Sequence, residues 1–400
     1  MGVRRVRTGL VAAVAVLLVM GGSVSPVVAA DMNALFPDLN LPGFRVTPYL
    51  TERVEYESNV FGVASGSQDD GISKTIPGII VNLPFGRHRL DMGARAEIVR
   101  FFTLPNQDTE HYFFVGDLKL DFPGGLRAGL IDDFAHTSDP PGTELTGRIL
   151  STTNILHPSV GYAFADRYEI GFDYIWTRVN FAEQVEELDR NEHTFGVTGF
   201  YKLAPNTRLL ASYSYGIKRF DNDPERDVDR HIGIVGIQGQ ITSRLTSTFR
   251  IGVERREPLS SRMRGYTGLI LGGDWIFTPT DRTRITLITE RFLAESVFQS
   301  NPYYVANMAT LAAEHWILPK VRLTGRVYFG TNEYPDKALH ADGSYDWRYD
   351  YVAGGSIGAE YDIQRWLTVG ADYTETRRYS NFKDLQYKDN IVGGKVTLKF

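Results

Sequence analysis

From about residue 44 to the end of the chain, apolar and polar residues alternate with a period of two. The clearest run is Tyr168 to Thr177. Tyr168, Ile170, Phe172, Tyr174 and Trp176 form one stripe, and Glu169, Gly171, Asp173 and Thr177 form the other. A strand sends successive side chains to opposite faces, so this segment has an oily side and a wet side. A helix would scatter the same residues around its circumference. The pattern recurs with Leu209, Ala211, Tyr213, Tyr215 and Ile217 against Ser212, Ser214, Gly216 and Lys218. It recurs again with Val321, Leu323, Val327 and Phe329 against Arg322, Thr324 and Arg326, and with Leu367, Val369, Ala371 and Tyr373 against Thr368, Gly370, Asp372 and Thr374. Segments 72–82, 228–241 and 303–316 admit either face assignment.

The connections alternate in length. Tight ones carry turn chemistry, as in Leu83-Pro84-Phe85-Gly86, Phe122-Pro123-Gly124-Gly125 and Ala204-Pro205-Asn206-Thr207. Longer polar stretches lie between them, among them Ser58–Gly71, Ser138–Ser151 and Tyr334–Asp346. Nine long and eight tight connections predict eighteen strands, with both chain ends on the tight-turn side. An even strand number with short turns on one rim and long loops on the other is the plan of an all-β transmembrane up-and-down antiparallel barrel. A strand tilted about 40° gains roughly 2.5 Å of height per residue, so an apolar band of about 25 Å needs on the order of 10 residues. Lipid cannot hydrogen-bond a backbone, so a spanning sheet must close, with its oily stripes outward and its wet stripes around a bore. Paired segments recurring about every 40 residues superficially resemble a soluble propeller. A blade spends that length on four short strands, however, and here there are two long ones.

Composition narrows the function classes. With 400 residues, 42% of them hydrophobic and 12% aromatic, the chain is too apolar for disorder. The absence of cysteine excludes a disulfide scaffold, thiolate catalysis, a Cys-ligated zinc and a lipoprotein anchor. A net charge of −5 without a basic block gives no reason to expect nucleic acid. Arg4, Arg5 and Arg7, the apolar stretch Gly9 to Met20, and Val28-Ala29-Ala30 read as a cleaved secretory signal over 1–30. Removing its three arginines from the 43 basic residues leaves 40 against 48 acids, net −8. Residues 31–43 form a periplasmic leader too short for a plug domain, and 44–400 form the barrel. The expected location is the cell outer membrane. Aromatics beside the connections are expected at the two membrane interfaces: Phe122, Phe164, Tyr168, Phe277, Trp316 and Trp366 inside, and Phe134, Trp176, Phe220, Tyr266, Tyr304, Trp347 and Tyr379 outside.

Val392, Val396, Leu398 and Phe400 share one stripe of the last strand. Val396, Leu398 and the terminal Phe400 resemble the C-terminal signal of bacterial outer-membrane barrels, which the barrel-assembly machinery reads. Thr47-Pro48-Tyr49-Leu50 and Tyr56-Glu57-Ser58-Asn59-Val60-Phe61 resemble the opening of the putative beta-barrel porin-2 family, with Glu57 where that family often has Asp. The resemblance implies an outer-membrane barrel, often associated with exopolysaccharide or capsule export loci, and implies no established substrate.

The wet stripes carry both signs of charge. Arg89, Asp91, Arg95 and Glu97 share one face, as do Asp117, Lys119 and Asp121; Asp173, Arg250, Glu254, Arg256, Arg322, Arg326 and Asp372 add to the set. These are the candidate pore-lining residues, because an eighteen-strand barrel is wide enough for an aqueous channel and fixed charges inside it bias passage. Cross-strand pairing that stiffens the wall is the plainer role for the same residues. The expected function is diffusion or export of a polar solute, with polysaccharide suggested by the resemblance. The alternative is a non-conducting structural or adhesin-like barrel acting through its loops. The third long connection, with Glu144 and Arg148, is a constriction-loop candidate by analogy with general porins, against the reading of an ordinary surface loop. Asp221–Asp227 lacks the glycine and the closing acid of a calcium loop and reads as a solvated acidic tip. His136 and Ser138, two apart, form a remote lead to an outer-membrane phospholipase-like hydrolase. His157 and Ser159 repeat that spacing on the opposite parity, and no assigned carboxylate orients the imidazole. No enzyme activity, metal or cofactor is expected. The expected partners are outer-membrane lipid and lipopolysaccharide, the assembly machinery, and polysaccharide or small polar solutes.

Overall fold

The computed structural model describes residues 44–140, 144, 147–182, 185–296, 301–339 and 343–400. The expected signal and leader lie outside them. Eighteen strands follow in chain order: β1 (Arg45–Glu57), β2 (Asp70–Phe85), β3 (His88–Phe101), β4 (Thr109–Asp121), β5 (Leu126–Thr137), β6 (Ser151–Phe164), β7 (Tyr168–Phe181), β8 (Arg190–Ala204), β9 (Thr207–Phe220), β10 (Val228–Thr242), β11 (Leu245–Pro258), β12 (Tyr266–Thr280), β13 (Thr283–Glu295), β14 (Tyr303–Leu318), β15 (Val321–Leu339), β16 (Tyr345–Gln364), β17 (Leu367–Ser380) and β18 (Tyr387–Lys399). Each pairs antiparallel with its chain neighbour, and β18 pairs with β1 from Tyr49↔Lys399 to Glu57↔Ile391, so the sheet closes without an edge.

Pairing settles which stripe faces the bore, because residues directly opposite in register lie on the same face. In β1, Leu50, Val54 and Tyr56 are exposed while Thr51, Glu55 and Glu57 are buried. Across from them, Thr51↔Ile76 and Glu55↔Ile72 place Ile72 and Ile76 inward and leave Ile79 and Val81 outward. In β10, Arg230 and Ile232 are buried and Val235 and Ile237 are exposed. In β14, Tyr303 to Ala306 are all buried, and the register decides: Asp274↔Ile288 and Ile288↔Thr310 put the even positions, Tyr304 and Ala306 among them, on the inner face and leave Leu311 exposed. All three segments with an undecided face are thereby assigned.

At the short-turn rim, Phe164 lies between Tyr162 and Tyr168 with ring centroids 6.1 and 5.7 Å away, and Phe277 and Trp366 are exposed. Trp347 and Tyr379 are exposed near the long-loop rim. Four rings expected at the interfaces instead turn inward. Phe220 and Tyr304 are buried. Tyr266 stands opposite the buried Arg256 and meets Tyr303, and Trp316 lies under the Arg322 guanidinium. Phe220, Tyr266 and Tyr304 stand at the long-loop end, where strands and loops fold over the mouth and a ring beside a loop packs against protein rather than lipid; Trp316 stands at the short-turn end, where its register partner Arg322 holds it on the inner face. Three apolar clusters form at the long-loop end, around Ile72, Val99 and Phe101, around Tyr304, Ala306 and Tyr334, and around Val179, Phe181 and Leu188.

Candidate functional site: the bore

The bore wall is built largely from oppositely charged residues two apart on one strand, a spacing that puts both side chains on the same face. Arg53 meets Glu55 at 2.6 Å, Arg95 meets Glu97 at 3.0 Å, and Lys119 meets Asp117 at 2.5 Å. Arg89 pairs with Asp91 in the same way. Further bridges cross the sheet. Arg53 holds Asp372 with two hydrogen bonds of 2.6 and 2.9 Å. Arg250 reaches Asp274 at 2.7 Å, and Arg322 and Lys395 both hold Glu360. Some cations also lie over rings: Arg95 Cζ stands 4.2 Å from the Phe113 centroid, and Arg326 Cζ 5.7 Å from that of Tyr328. Asp173 packs its carboxylate over Gly196, where a Cβ would collide with it.

Toward the long-loop end these pairs merge into a buried network. Glu192 takes Arg190 at 2.8 Å and Lys218 at 3.2 Å, with Arg230 at 3.7 Å. Lys218 also reaches Glu295 at 2.6 Å. Arg256 joins Glu254 and Glu295, both at 2.9 Å. Of these residues only Glu254 and Arg256 were marked in the sequence as charge candidates. Arg190 and Glu192 carried the signal that marked the others, two opposite charges two apart, but they stand at the start of their strand beside a long loop. Arg230 lay in a segment whose face was undecided.

The third long loop enters this region. Glu144 is buried, accepts a hydrogen bond from Ser296 Oγ at 2.9 Å, and lies 3.4 Å from Arg348. Its carbonyl accepts from Arg378 at 2.9 Å. Arg348 is clamped to Asp350 at 2.6 Å and covers the Tyr334 ring at 4.3 Å. Arg148 pairs with Glu57 and lies over Phe101. A loop leaving the wall after β5 is thus bonded to β16 and β17 and to the chain following β13. Arg348, Asp350 and Arg378 were not singled out in the sequence, because nothing in one strand's pattern announces what a distant loop will touch.

Loop 3 is tied down at its start by His111, whose Nε2 accepts the Ser138 amide at 3.1 Å and lies 2.9 Å from its hydroxyl; Nδ1 stands 3.6 Å from Glu97. The pairing of His136 with Ser138 expected from their spacing does not form. β5 ends at Thr137, so Ser138 turns inward while His136 stays outward, bonded to Thr152 at 2.8 Å. In the acidic loop, Asp227 accepts the Phe220 amide at 2.8 Å, Asp223 holds Arg226 at 3.0 Å, and Asp221 pairs with Arg178. The hydrogen-bonded Arg178 guanidinium holds the Asp221 carboxyl below its usual range. Among the described residues there is no metal-binding cluster. In the last strand, Val396 and Phe400 are exposed with Val392 on the outer stripe, and the Phe400 amide closes on Pro48 O at 2.9 Å.

Solved structures similar to this chain include OccK3 (OpdO) of Pseudomonas aeruginosa, at 11% identity and TM-score 0.47 over 89% of this chain and 95% of that one. OccAB3 of Acinetobacter baumannii gives 11% and 0.47 over 89% and 99%. The outer membrane protein opdK of Pseudomonas aeruginosa gives 9% and 0.47 over the same shares. No curated protein matches the chain. The family described as "Putative beta-barrel porin 2" matches residues 40–400, so the chain belongs to that family of barrel porins.

Proposed function

We propose that the protein is an outer-membrane channel for polar solutes whose resting state is latched at the long-loop end. The observation that carries this reading is the charged inner wall: doublets such as Arg95–Glu97 and Lys119–Asp117 and bridges such as Arg53–Asp372 and Arg250–Asp274 face the bore, while most oily stripes face out. A wall of neutralised pairs gives a wet surface with little net field, which suits weakly selective passage of small polar or sugar-like solutes. The family resemblance points the same way for polysaccharide, which we propose as a substrate class, with Arg89, Arg95, Glu97, Asp117, Lys119, Asp173, Arg250, Glu254, Arg322, Arg326 and Asp372 as lining residues.

Glu144 and Arg148 are then the latch. The packed long-loop mouth also favours a second reading, a closed structural barrel acting through its loops. Conductance of the purified protein in planar bilayers tests both. The channel reading expects discrete steps that become more frequent in Glu144→Ala. Baseline current from both proteins, with intact folded barrels, supports the structural reading instead.

A further inference from the structure

Three arginines of the bore lie over a ring and also hold an acid. Arg95 covers Phe113 and reaches Glu97 at 3.0 Å. Arg208 Cζ stands 4.1 Å from the Phe200 centroid and reaches Glu169 at 3.2 Å. Arg322 lies over Trp316 and holds Glu360. Arg326 lies beside the Tyr328 ring but, among the described residues, forms no ion pair and no side-chain hydrogen bond, and its Nε is buried without a partner. The acids of the neighbouring strands are already taken. Asp372 is held by Arg53, Glu360 by Arg322 and Lys395, and Glu314 by Arg322 at 3.7 Å. A guanidinium does not give up its proton, so Arg326 keeps a charge that the wall does not neutralise.

Its surroundings are neutral and hydroxylated. In register with Arg326 stand Ala312 on one side and Ser356, then Thr374, on the other. Tyr328, two residues along the same stripe, lies over Gly354, where a Cβ would fall 2.5 Å from its Cζ, and its hydroxyl reaches Thr376 Oγ1 at 3.2 Å. The ring therefore runs along the wall instead of standing out into the bore. Arg326 Cζ is 5.7 Å from its centroid, farther than in the Arg208 pair, so the guanidinium covers less of the ring. Arg326 is the sixth residue of β15 after its short turn, and the neighbouring inward Thr324 is exposed. A solute entering by the short-turn rim reaches this patch without passing the latched mouth.

We propose that Arg326, Tyr328, Ser356 and Thr374 form a binding site for a sugar unit that bears a carboxylate. The guanidinium takes the carboxylate through two of its N–H groups, the charge-assisted bond it lacks within the chain. The negative face of the Tyr328 ring takes the slightly positive C–H face of the pyranose. The Ser356 and Thr374 hydroxyls, each both donor and acceptor, exchange hydrogen bonds with those of the sugar. A neutral sugar uses only the ring and the hydroxyls, and an acid without hydroxyls leaves those of the wall unmatched. The inference rests on the reading of the bore as a path for polar solutes and narrows the solute to acidic sugars.

The experiment is calorimetric titration of the folded full-length protein in detergent micelles at about 0.15 M salt, which needs no open channel. The probes are trigalacturonic acid, the neutral maltotriose and benzoate. The expected result is saturable binding of trigalacturonic acid, with maltotriose and benzoate each weaker by about tenfold or more. Arg326→Gln should bring trigalacturonic acid down to the level of maltotriose, and Tyr328→Leu should weaken both sugars. Arg208→Gln, whose arginine lies over a ring but has its own acid, should change the affinity by less than about twofold. Folding of each variant is checked by heat-modifiable mobility. No saturable binding of trigalacturonic acid, equally tight binding of either other probe, or equal losses from Arg326→Gln and Arg208→Gln overturns the inference. A barrel that binds the acidic sugar yet stays at baseline current contradicts the channel reading and keeps the site, whereas one that conducts without binding contradicts the site alone.

Discussion

The two halves of the bore use the same pairing chemistry in opposite surroundings. Near the short turns the cations of the pairs are half open to water: Arg89, Lys119 and Arg127 keep 47%, 49% and 55% of their side-chain exposure. Near the long loops Lys218 has none, and Arg230, Glu254 and Arg256 keep 2–3%. The sequence spacing is the same, and what differs is the covering: loops and apolar clusters fill the outer mouth and remove water from the network. Exposed pairs contribute about 0–1 kcal/mol, whereas removing one member of a buried pair costs about 3–5 kcal/mol because its partner is left charged and dry. The inner half is therefore built to be wet and permissive, and the outer half to hold one arrangement.

Substitutions can break that contrast. The largest effect is expected for Glu295→Met, which removes one of the three acids that four buried cations share and leaves Lys218 and Arg256 without their common carboxylate. Urea unfolding in lipid vesicles should show a loss of about 3–5 kcal/mol, while Lys119→Met should stay within about 0.5 kcal/mol. Equal losses would erase the distinction. Next comes Glu144→Ala, which removes the hydrogen bond from Ser296 and the contact with Arg348. Charged hydrogen bonds are worth about 1.5–3 kcal/mol, so open-channel occupancy in planar bilayers should rise on the order of tenfold.

Smaller still is the effect of Lys119→Glu on ion selectivity. The reversal potential under a salt gradient should move toward cations at about 0.1 M salt and return at about 1 M, where the screening length falls to about 3 Å. The smallest effect concerns the surface loop. The folded-state Asp221 pKa is depressed, so the Arg178–Asp221 contribution is present above the ordinary aspartate range and fades as pH falls through the lowered value. Arg178→Gln should remove only the about 0–1 kcal/mol of an exposed pair at neutral pH, and the two proteins should converge in acid.

Much of this architecture can be read from the residues alone. Strict alternation, as in Tyr168 to Thr177, fixes a strand and its faces because one side must be oily, and turn chemistry sets the strand count. Legibility fails where both stripes are apolar. Ile72 and Ile76 look as oily as Ile79 and Val81, and only the neighbouring strand decides between them. It fails again where the chain leaves the bilayer, since Phe220 and Tyr304 obey the packing of the mouth rather than the membrane. The paired charges of the wall were visible as i, i+2 doublets. The anchors of Glu144 were not, because Arg348 and Arg378 lie more than 200 residues along the chain and nothing local links them to the loop.

The claim beneath all of this is the direction of the stripes. It is tested most directly by placing single cysteines at two adjacent positions of β4, Asp117→Cys and Leu118→Cys, and treating each protein in liposomes with a charged, membrane-impermeant thiol reagent that has access to the short-turn side. Rapid labelling at 117 and protection at 118 is the result expected of a water-filled inner bore with a lipid-facing oily stripe. Labelling at 118 with protection at 117 would contradict it.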